Sequence, residues 1–242
     1  MDWLERTELL VGSDNLKKLQ TANVLVVGLG GVGAYAAEEL CRAGIGKMTI
    51  VDGDVVEISN RNRQLPALIS TTGKPKADIL AARFRDINPG IQLTISNEYI
   101  DDNKIIELLK SQPFDFVVDA IDTLSPKVLL IYHAVQLGYK VVSSLGAGGK
   151  MDPQKVQISD ISKSYNCKLA RMLRKRLSKM GVKKGITVVF SPEEIPAGAV
   201  RLEEGRNKRS TVGTISYMPP VFGCFISSVV IQNILQSENE AV

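Results

Sequence analysis

The chain has 242 residues, is 44% hydrophobic and carries a formal net charge of +4 at pH 7. This length and apolar content are enough to bury one large core. The three cysteines include no CxxC pair and there is a single histidine, which excludes a disulfide framework and a structural zinc site of paired cysteines. Because no basic stretch followed by an apolar run opens the sequence, we expect a cytoplasmic protein.

Strand and helix patterns alternate from residue 23 to about residue 145. Asn23–Val27 is a β-branched run that fits a strand buried on both faces, and Lys47–Val51 is a second such run. The other predicted elements are helices at 34–42, 76–87, 102–109 and 125–137 and strands at 91–96, 114–119 and 140–144. The alternation predicts an α/β fold with a doubly wound, mostly parallel, Rossmann-like sheet, whose ligands lie beyond the carboxyl ends of the strands.

We divide the chain into an N-terminal helical arm (1–22), a nucleotide-binding core (23–150) and a C-terminal part (151–242). The last part contains a basic helix within 163–184, a mobile loop at about 198–212 and a terminal helix. Residues 210–237 carry no charge, so a membrane span has to be considered. Pro219 and Pro220 interrupt the apolar stretch, and we therefore expect a buried or interface helix.

The turn after the first strand has the composition of a nucleotide-binding loop. Glycines allow a tight turn and a close approach of phosphate, and the following helix offers free N–H groups at its N-terminus. The glycines concerned are Gly28, Gly30, Gly31 and Gly33. Asp52 ends the second strand 24 residues after Gly28, which is close to the spacing of an acid that binds ribose hydroxyls. Asp54 belongs to the same nucleotide-binding segment.

Two later segments carry side chains suited to phosphate. The first includes Asn60, Arg63 and Gln64, and the second includes Lys76. A dehydrogenase has no obvious use for these cations, whereas an enzyme that breaks ATP to activate a carboxylate does. Asp122 follows a predicted strand and offers the oxygen ligand that Mg²⁺ prefers, with helix capping as the alternative. We interpret Asp119 as structural.

In their order, these motifs resemble the adenylating superfamily of ubiquitin-activating enzymes and of ThiF- and MoeB-type activators of sulfur-carrier proteins. The resemblance runs from about Arg6 to Asp122. It implies that Asp52 binds the ATP ribose, that Lys76 contacts the phosphates and that Asp122 holds magnesium. It also implies that the triphosphate is bordered by Asn60, Arg63 and Gln64.

The same resemblance gives Arg6 a role across a subunit boundary. It implies a homodimer in which Arg6 reaches the partner subunit's ATP, where an arginine stabilises charge on the displaced pyrophosphate. The predicted catalytic residues are therefore Arg63, Lys76, Asp122 and Arg6. A solvated surface position is the alternative for the three cations.

A strongly basic segment lies in the C-terminal part. No acidic residue occurs between Asp160 and Glu193, whereas nine lysines and arginines do, so the rest of the chain is net acidic. Leucines recur at helical spacing from Leu169 to Leu177 and are expected to pack inward. The neighbouring face is a candidate RNA contact, with a merely solvated helix as the alternative. Its candidate contacts are Lys168, Arg171, Arg174, Lys175 and Lys179.

These features together resemble one branch of the superfamily, the tRNA threonylcarbamoyladenosine dehydratases, over nearly the whole chain. The segments that carry this resemblance are the basic segment and residues 189–194 and 213–221. It implies ATP- and Mg²⁺-dependent adenylation of the threonyl carboxylate on a modified adenosine beside the tRNA anticodon. Ring closure with loss of AMP then gives a net dehydration and needs no enzyme nucleophile.

Other functions stay open from the sequence. One alternative is adenylation of the C-terminal glycine of a ubiquitin-like sulfur carrier, which the missing CxxC pairs and the basic segment disfavour. Another is an NAD-dependent oxidoreductase, for which no catalytic His or Tyr-Lys pair is evident, and a third is nucleotide binding without catalysis. A sulfur-transfer protein is left open as a partner.

The cysteines and the histidine receive structural interpretations. Cys167 is the one cysteine considered for a thioester, but a partly buried residue at a helix start is favoured. Cys41 and Cys224 are predicted to lie in the core. His133 lies within an apolar helical pattern and is interpreted as structural.

Overall fold

The computed structural model describes residues 3–202 and 210–236. Its helices are α1 (Glu5–Val11), α2 (Ser13–Thr21), α3 (Gly33–Arg42), α4 (Lys76–Ile87), α5 (Asp102–Lys110), α6 (Leu124–Gln136), α7 (Lys168–Lys179) and α8 (Met218–Gln236). Its strands are β1 (Asn23–Val27), β2 (Lys47–Val51), β3 (Gln92–Ser96), β4 (Phe116–Asp119), β5 (Val141–Ser144), β6 (Gln157–Asp160), β7 (Thr187–Phe190), β8 (Val200–Leu202) and β9 (Ser210–Val212). The predicted alternation of strands and helices is confirmed, with boundaries displaced by one or two residues.

Strands β1 to β7 form one sheet in the order β3-β2-β1-β4-β5-β7-β6. All neighbours pair in parallel except β6, which runs antiparallel to β7. Val27 at the end of β1 is in register with Val51 of β2 and with Asp119 of β4. The residues that follow these three strands therefore emerge at one edge of the sheet, as the doubly wound fold requires.

The sheet is covered on both faces, which explains the continuous apolar strands. One face packs against α2, α3, α4 and α8, with Leu40, Phe84 and Phe222 fully buried. The other face packs against α5, α6 and α7, with Leu109, Ile131 and Leu173 fully buried. Because β6 and β7 continue the sheet begun by β1, the C-terminal part completes the same core.

The terminal helix is longer than the sequence suggested. Pro219 and Pro220 lie in the first turn of α8, where proline removes no intrahelical hydrogen bond, so the apolar helix includes both and the expectation that they interrupt the apolar stretch is wrong. By length and composition α8 could cross a membrane, yet half of its most apolar stretch is buried. It packs along α3 through residues such as Phe222 and Ile226, as a core helix does.

The C-terminal part differs from prediction at two further places. The basic helix α7 covers only Lys168–Lys179, because residues 161–163 form a separate 3-10 turn capped by Asp160. Asn166 between them has a φ of +48°, which turns the chain before α7 begins. Part of the predicted loop 198–212 forms the hairpin of β8 and β9. Residues 203–209 of the predicted loop lie outside the described residues.

Candidate active site and basic surface

The glycine turn brings α3 directly against the ends of β1 and β4. Gly28 has a φ of +90°, and a Cβ there would lie 2.8 Å from the backbone carbonyl of Ala120. A Cβ on Gly33 would overlap the carbonyl oxygen of Gly28. Glycine at both positions therefore lets the first turn of α3 face the edge of the sheet, where its N–H groups are open to an anion.

Two further glycines of the turn contact other segments. A Cβ on Gly31 would lie 2.9 Å from the Pro219 Cβ, so α8 packs onto the turn. Gly30 lies beside the side-chain amide of Gln64. The turn is thus walled by residues that are distant in the chain.

Asp52 is held at the mouth of this turn by backbone donors. Its Oδ2 accepts a hydrogen bond from the Leu29 N–H at 2.6 Å, and its Oδ1 accepts one from the Asp54 N–H at 2.8 Å. Burial raises the pKa of Asp52, although nearby Lys76 and these N–H groups oppose the shift. The structure therefore places this acid beside the glycines, where a ribose-binding carboxylate is expected.

Lys76 and Asp54 form an ion pair next to Asp52. Lys76 begins α4, its side chain is 4% exposed, and its Nζ lies 2.8 Å from Asp54 Oδ2. The other Asp54 oxygen accepts a hydrogen bond from the Tyr99 hydroxyl at 2.7 Å, which raises the pKa of Tyr99 to about 12. Tyr99 was not identified as a site residue from the sequence. The signal that could have identified it is its position just after the predicted strand β3.

The segment around Asn60 is folded back on itself and on the C-terminal part. Asn60 is buried, and its Oδ1 accepts a hydrogen bond from the Glu57 N–H at 3.0 Å. Arg63 Nη1 donates to the Ser59 carbonyl at 2.9 Å and to Asn62 Oδ1 at 2.8 Å. The Oε1 of Gln64 is buried without a hydrogen-bond partner, which is unusual for a buried polar atom unless a ligand satisfies it.

A buried ion pair fixes the loop that carries Asp122. Asp119 and Lys127 are fully buried, with Lys127 Nζ 2.7 Å from Asp119 Oδ2. Asp119 also accepts hydrogen bonds from Ser143 Oγ at 2.6 Å and from the Ile121 N–H at 3.1 Å. These contacts support the structural interpretation of Asp119, whereas Asp122 lies exposed on the loop beyond it. Lys127 was not identified from the sequence. The signal that could have identified it is a lysine within an otherwise apolar helical pattern.

A cleft beside Asp52 was not visible in the sequence. It lies past the ends of β2 and β3 and is lined by Val51, Ser96, Ile100, Lys104 and Leu108, among others. Its other lining residues are Glu98, Glu107 and Ser111, so apolar side chains form one part of its wall and polar or charged side chains the rest. Within residues 3–202 and 210–236, no group of three or more His, Cys, Asp or Glu residues is arranged to hold a metal ion.

The surface of α7 follows the predicted pattern, with one candidate contact less exposed than the others. Ala170, Leu173 and Leu177 are buried. Four of the five predicted RNA contacts are exposed: Lys168, Arg171, Lys175 and Lys179. Arg174 is half-buried because its guanidinium donates to the carbonyl, at 2.7 Å, and to the hydroxyl of Ser164, so it serves to hold the turn before α7.

One of the cysteine predictions is wrong. Cys224 is exposed, because α8 is apolar on all sides and its outer face turns this residue to solvent. Cys41 is buried as predicted, and burial raises its pKa to about 12. Cys167 is partly buried at the start of α7, where its Sγ accepts a hydrogen bond from the Ala170 N–H. His133 pairs with Asp102 at 2.7 Å.

Helix α1 exposes both Arg6 and several apolar side chains. None of its residues is buried, and Leu9 and Leu10 are 81% and 86% exposed. Ile58 and Ile69 are likewise 67% and 81% exposed, in the segment that precedes Lys76. Exposed apolar side chains form a contact surface for another protein where they adjoin one another.

Comparison with known proteins gives matches along the whole chain. The ThiF family matches residues 4–242. The tRNA threonylcarbamoyladenosine dehydratase of Bacillus subtilis (strain 168) is 39% identical over 226 residues, which cover 93% of this chain and 88% of that protein. A sulfur carrier protein adenylyltransferase of Thermus thermophilus is 34% identical over 132 residues, which cover 54% of this chain and 48% of that protein.

Among solved structures, the chain is similar to E. coli tRNA N6-threonylcarbamoyladenosine dehydratase, TcdA, in complex with ATP. The TM-score is 0.88 and the sequence identity 33%, with 98% of this chain and 95% of that chain covered. The fold, the glycine turn and the family match along residues 4–242 thus agree, and the chain is a member of the ThiF family.

Proposed function

We propose that the protein catalyses the ATP-dependent dehydration of threonylcarbamoyladenosine next to the anticodon of tRNA, by adenylating the threonyl carboxylate. The observation that carries this proposal is the similarity to an ATP-bound dehydratase over 98% of the chain. The family membership disfavours an NAD-dependent oxidoreductase. In such an enzyme Arg63 and Lys76, which are suited to phosphate, would have no evident function.

ATP binds along the edge of the sheet in this proposal. The adenine occupies the cleft lined by Val51, Ile100 and Leu108, and Asp52 accepts hydrogen bonds from the ribose hydroxyls. The phosphates lie over the N-terminus of α3, between the glycine turn and Lys76. Gln64 borders them, and a water bound with the nucleotide donates to the buried Oε1 that lacks a partner, because phosphate oxygens only accept hydrogen bonds.

In the first step the threonyl carboxylate attacks the α-phosphorus of ATP and pyrophosphate leaves. A carboxylate alone has no adequate leaving group, whereas the mixed anhydride that forms has AMP. Lys76 and Arg63 neutralise the charge that develops on the phosphates, and Lys76 can do so from its place beside Asp54.

Asp122 is the proposed magnesium ligand. Mg²⁺ is commonly held by one or two carboxylates together with substrate phosphates and water, so an exposed carboxylate at a strand end fits this role. When bound, the ion would draw charge from the phosphates. Asp119 keeps the loop of Asp122 in place through its bond to the Ile121 N–H.

In the second step a carbamoyl atom of the threonylcarbamoyl group attacks the acyl carbon of the same side chain, and a carbamoyl N–H proton is released. The acyl–oxygen bond breaks and AMP departs with an oxygen of the original carboxylate, so that the net change in the nucleoside is the loss of one water. The reacting groups belong to one side chain, and their proximity replaces an enzyme nucleophile. Cys167 therefore needs no covalent role.

The proposed assembly is a homodimer in which Arg6 acts on the ATP of the partner subunit. The exposed Leu9, Leu10, Ile58 and Ile69 supply an apolar surface for it. The proposed tRNA surface is α7, through Lys168, Arg171, Lys175 and Lys179. We place the protein in the cytoplasm, where tRNA and ATP are present, with a sulfur-transfer protein as an optional partner.

The test uses tRNA from cells that lack this gene. Purified protein, ATP and Mg²⁺ are added, the tRNA is digested, and nucleosides are analysed by mass spectrometry. ATP-dependent loss of one water from threonylcarbamoyladenosine is expected. If the nucleoside stays unchanged while a ubiquitin-like sulfur carrier supports ATP–pyrophosphate exchange, the substrate is that carrier and the dehydratase proposal is wrong.

A further inference from the structure

Two exposed tyrosines flank the surface between the candidate active site and α7. Among residues 3–202 and 210–236, the exposed aromatic side chains are Trp3, Tyr99, Tyr165 and Tyr217. Tyr165 and Tyr217 are 49% and 41% exposed, so each buries part of its ring and presents the rest to solvent. An aromatic ring that is held in place and half exposed is suited to stack on a flat partner.

Tyr217 lies at the rim of the glycine turn. Its hydroxyl donates to the Met151 carbonyl at 2.8 Å, and the next residue begins α8, whose Pro219 packs on Gly31. Nearby, Asn62 Nδ2 donates to the Thr214 carbonyl at 2.9 Å. This bond ties the segment before Tyr217 to the segment that contains Asn60, Arg63 and Gln64. The Tyr217 ring is thus held between the segment of Met151 and the start of α8.

Tyr165 lies at the other end of this surface, just before α7. Its ring packs edge-on against Phe190 at a centroid distance of 5.7 Å, and its hydroxyl accepts a hydrogen bond from Gln157 at 3.4 Å. Phe190 ends β7 and is in register with Gln157, so Tyr165 lies at the carboxyl edge of the sheet. Exposed Lys163 and Lys168 lie close to it in the chain.

The backbone between the two tyrosines is rigidly held. The Glu193 carboxylate accepts hydrogen bonds from the N–H groups of Met151 and Asp152, both at 2.9 Å. Lys150 is buried beneath and donates to the Glu193 carbonyl, and its burial lowers its pKa. Glu193 lies three residues after Phe190, against which the Tyr165 ring packs, and this connects the backbone to the segment before α7. Met151, half exposed, adds an apolar side chain to the surface.

We propose that Tyr217 and Tyr165 stack on unpaired bases of the anticodon loop while the cations of α7 hold the adjoining phosphates. This inference rests on the proposed function. Unpaired RNA is recognised by aromatic stacking together with positive charge, and this surface offers both in one continuous stretch beside the active site. Stacking there would present the adenosine that carries the threonylcarbamoyl group to the bound ATP.

The experiment compares two RNAs with the full chain. One is an anticodon stem-loop with 2-aminopurine in the loop, whose fluorescence falls when the base stacks. The other is the same stem closed by a non-nucleotide linker, which offers phosphates but no unpaired bases. The variants are Tyr217→Ala and Tyr165→Ala, and the matched controls Tyr217→Phe and Tyr165→Phe keep the ring and lose only the hydroxyl.

We expect each alanine variant to weaken stem-loop binding about fivefold or more and to relieve the fluorescence quenching. The phenylalanine variants keep the ring and should bind the stem-loop more tightly than the alanine variants do, and all variants should bind the linker-closed stem equally. Wild-type affinity of both alanine variants for the stem-loop would overturn the inference, and so would an equal loss of both RNAs. Failure of the wild-type protein itself to bind either RNA would overturn the proposed function as well.

Discussion

The Lys76 ammonium and the Asp54 carboxylate form an ion pair that is buried on one side only. Their Nζ and Oδ2 atoms are 2.8 Å apart, and the side chains are 4% and 49% exposed. The lysine is therefore held in a fixed place, while its partner faces the solvent from which a nucleotide arrives. A phosphate that takes the place of Asp54 beside Lys76 meets a cation that is already oriented, which lowers the cost of reorganisation during the reaction.

Replacing Lys76 by methionine removes this charge and keeps most of the buried side-chain volume. We expect pyrophosphate release to slow by about 100-fold to 1,000-fold, as when one preorganised donor to a developing negative charge is lost. The measurement is single-turnover pyrophosphate release, with tRNA affinity as the control that should not change. Release at the wild-type rate would show that Lys76 serves only to pair with Asp54.

Asp119 and Lys127 are predicted to stabilise the fold as a unit. Lys127→Met leaves the fully buried Asp119 charge without its partner, which should lower the free energy of unfolding by about 3–5 kcal/mol. Adding Asp119→Asn removes that charge and should recover part of the loss. Urea unfolding of the four proteins of this cycle measures the coupling, and strictly additive losses would contradict it.

The stability contributed by Glu38 is predicted to depend on pH. Burial alone would raise the pKa of Glu38, but hydrogen bonds from Arg83 and Arg42 outweigh it and hold the pKa below the ordinary value of 4.5. The stabilisation is therefore fully present above pH 4.5 and is lost as the pH falls through the folded-state pKa. We expect Glu38→Gln to lower the free energy of unfolding by about 1–3 kcal/mol at neutral pH.

The measurement is urea unfolding of the wild type and of Glu38→Gln across the acid range. The gap between them should narrow once the pH is below the folded-state pKa. A gap that stays constant would show that packing, and not the charge of Glu38, accounts for the effect.

The glycine turn is predicted to have no room for an added methyl group at Gly33. Gly33→Ala would force α3 away from the Gly28 carbonyl, at a cost of about 1–3 kcal/mol for an overpacked site, and should weaken ATP binding. Gly198→Ala is the matched control, since a Cβ there meets nothing within 4 Å. Thermal melting and nucleotide titration measure both effects, and equal behaviour of the two variants would contradict the prediction.

Charge reversal on α7 separates RNA binding from nucleotide binding. Glutamates in place of Lys168, Arg171 and Lys175 should weaken tRNA binding and reduce its dependence on salt, because fewer phosphates are neutralised. ATP affinity should stay unchanged. Reversal of the exposed Lys17, Lys47 and Lys110, which lie on α2, β2 and α5, is the control for the same change in net charge. Unchanged tRNA affinity after reversal on α7 would remove this helix from the proposed surface.

Much of the fold was predictable because its signals are local. The β-branched run of β1, the glycines after it and Asp52 at the end of β2 lie within one short stretch of chain, and the structure brings them to one edge. The helix of Lys76 was predicted with its boundaries unchanged, because its apolar spacing and its preceding Gly73 and Pro75 are also local signals.

The remaining features depend on pairs that only tertiary packing creates. Tyr99 contacts Asp54 because the backbone after β3 packs against Gly53. No sequence motif indicates this contact. Arg174 stays a predicted RNA contact, and its guanidinium also donates to Ser164, a pairing that no sequence motif indicates. Cys224 was predicted to be buried from its apolar neighbours, since an all-apolar helix has no polar stripe to show which side is outside.

The contact between Pro219 and Gly31 has a consequence for how this protein can be divided. The nucleotide loop is built near the start of the chain, yet its outer wall is α8, and Gly223 of that helix lies directly against the backbone of Val32 and Ala36. An excised nucleotide-binding half would therefore lack one wall of its own ligand site. Fusion partners, deletions and split-protein designs must keep this helix in the same polypeptide, or supply it in trans, for the loop to retain its shape.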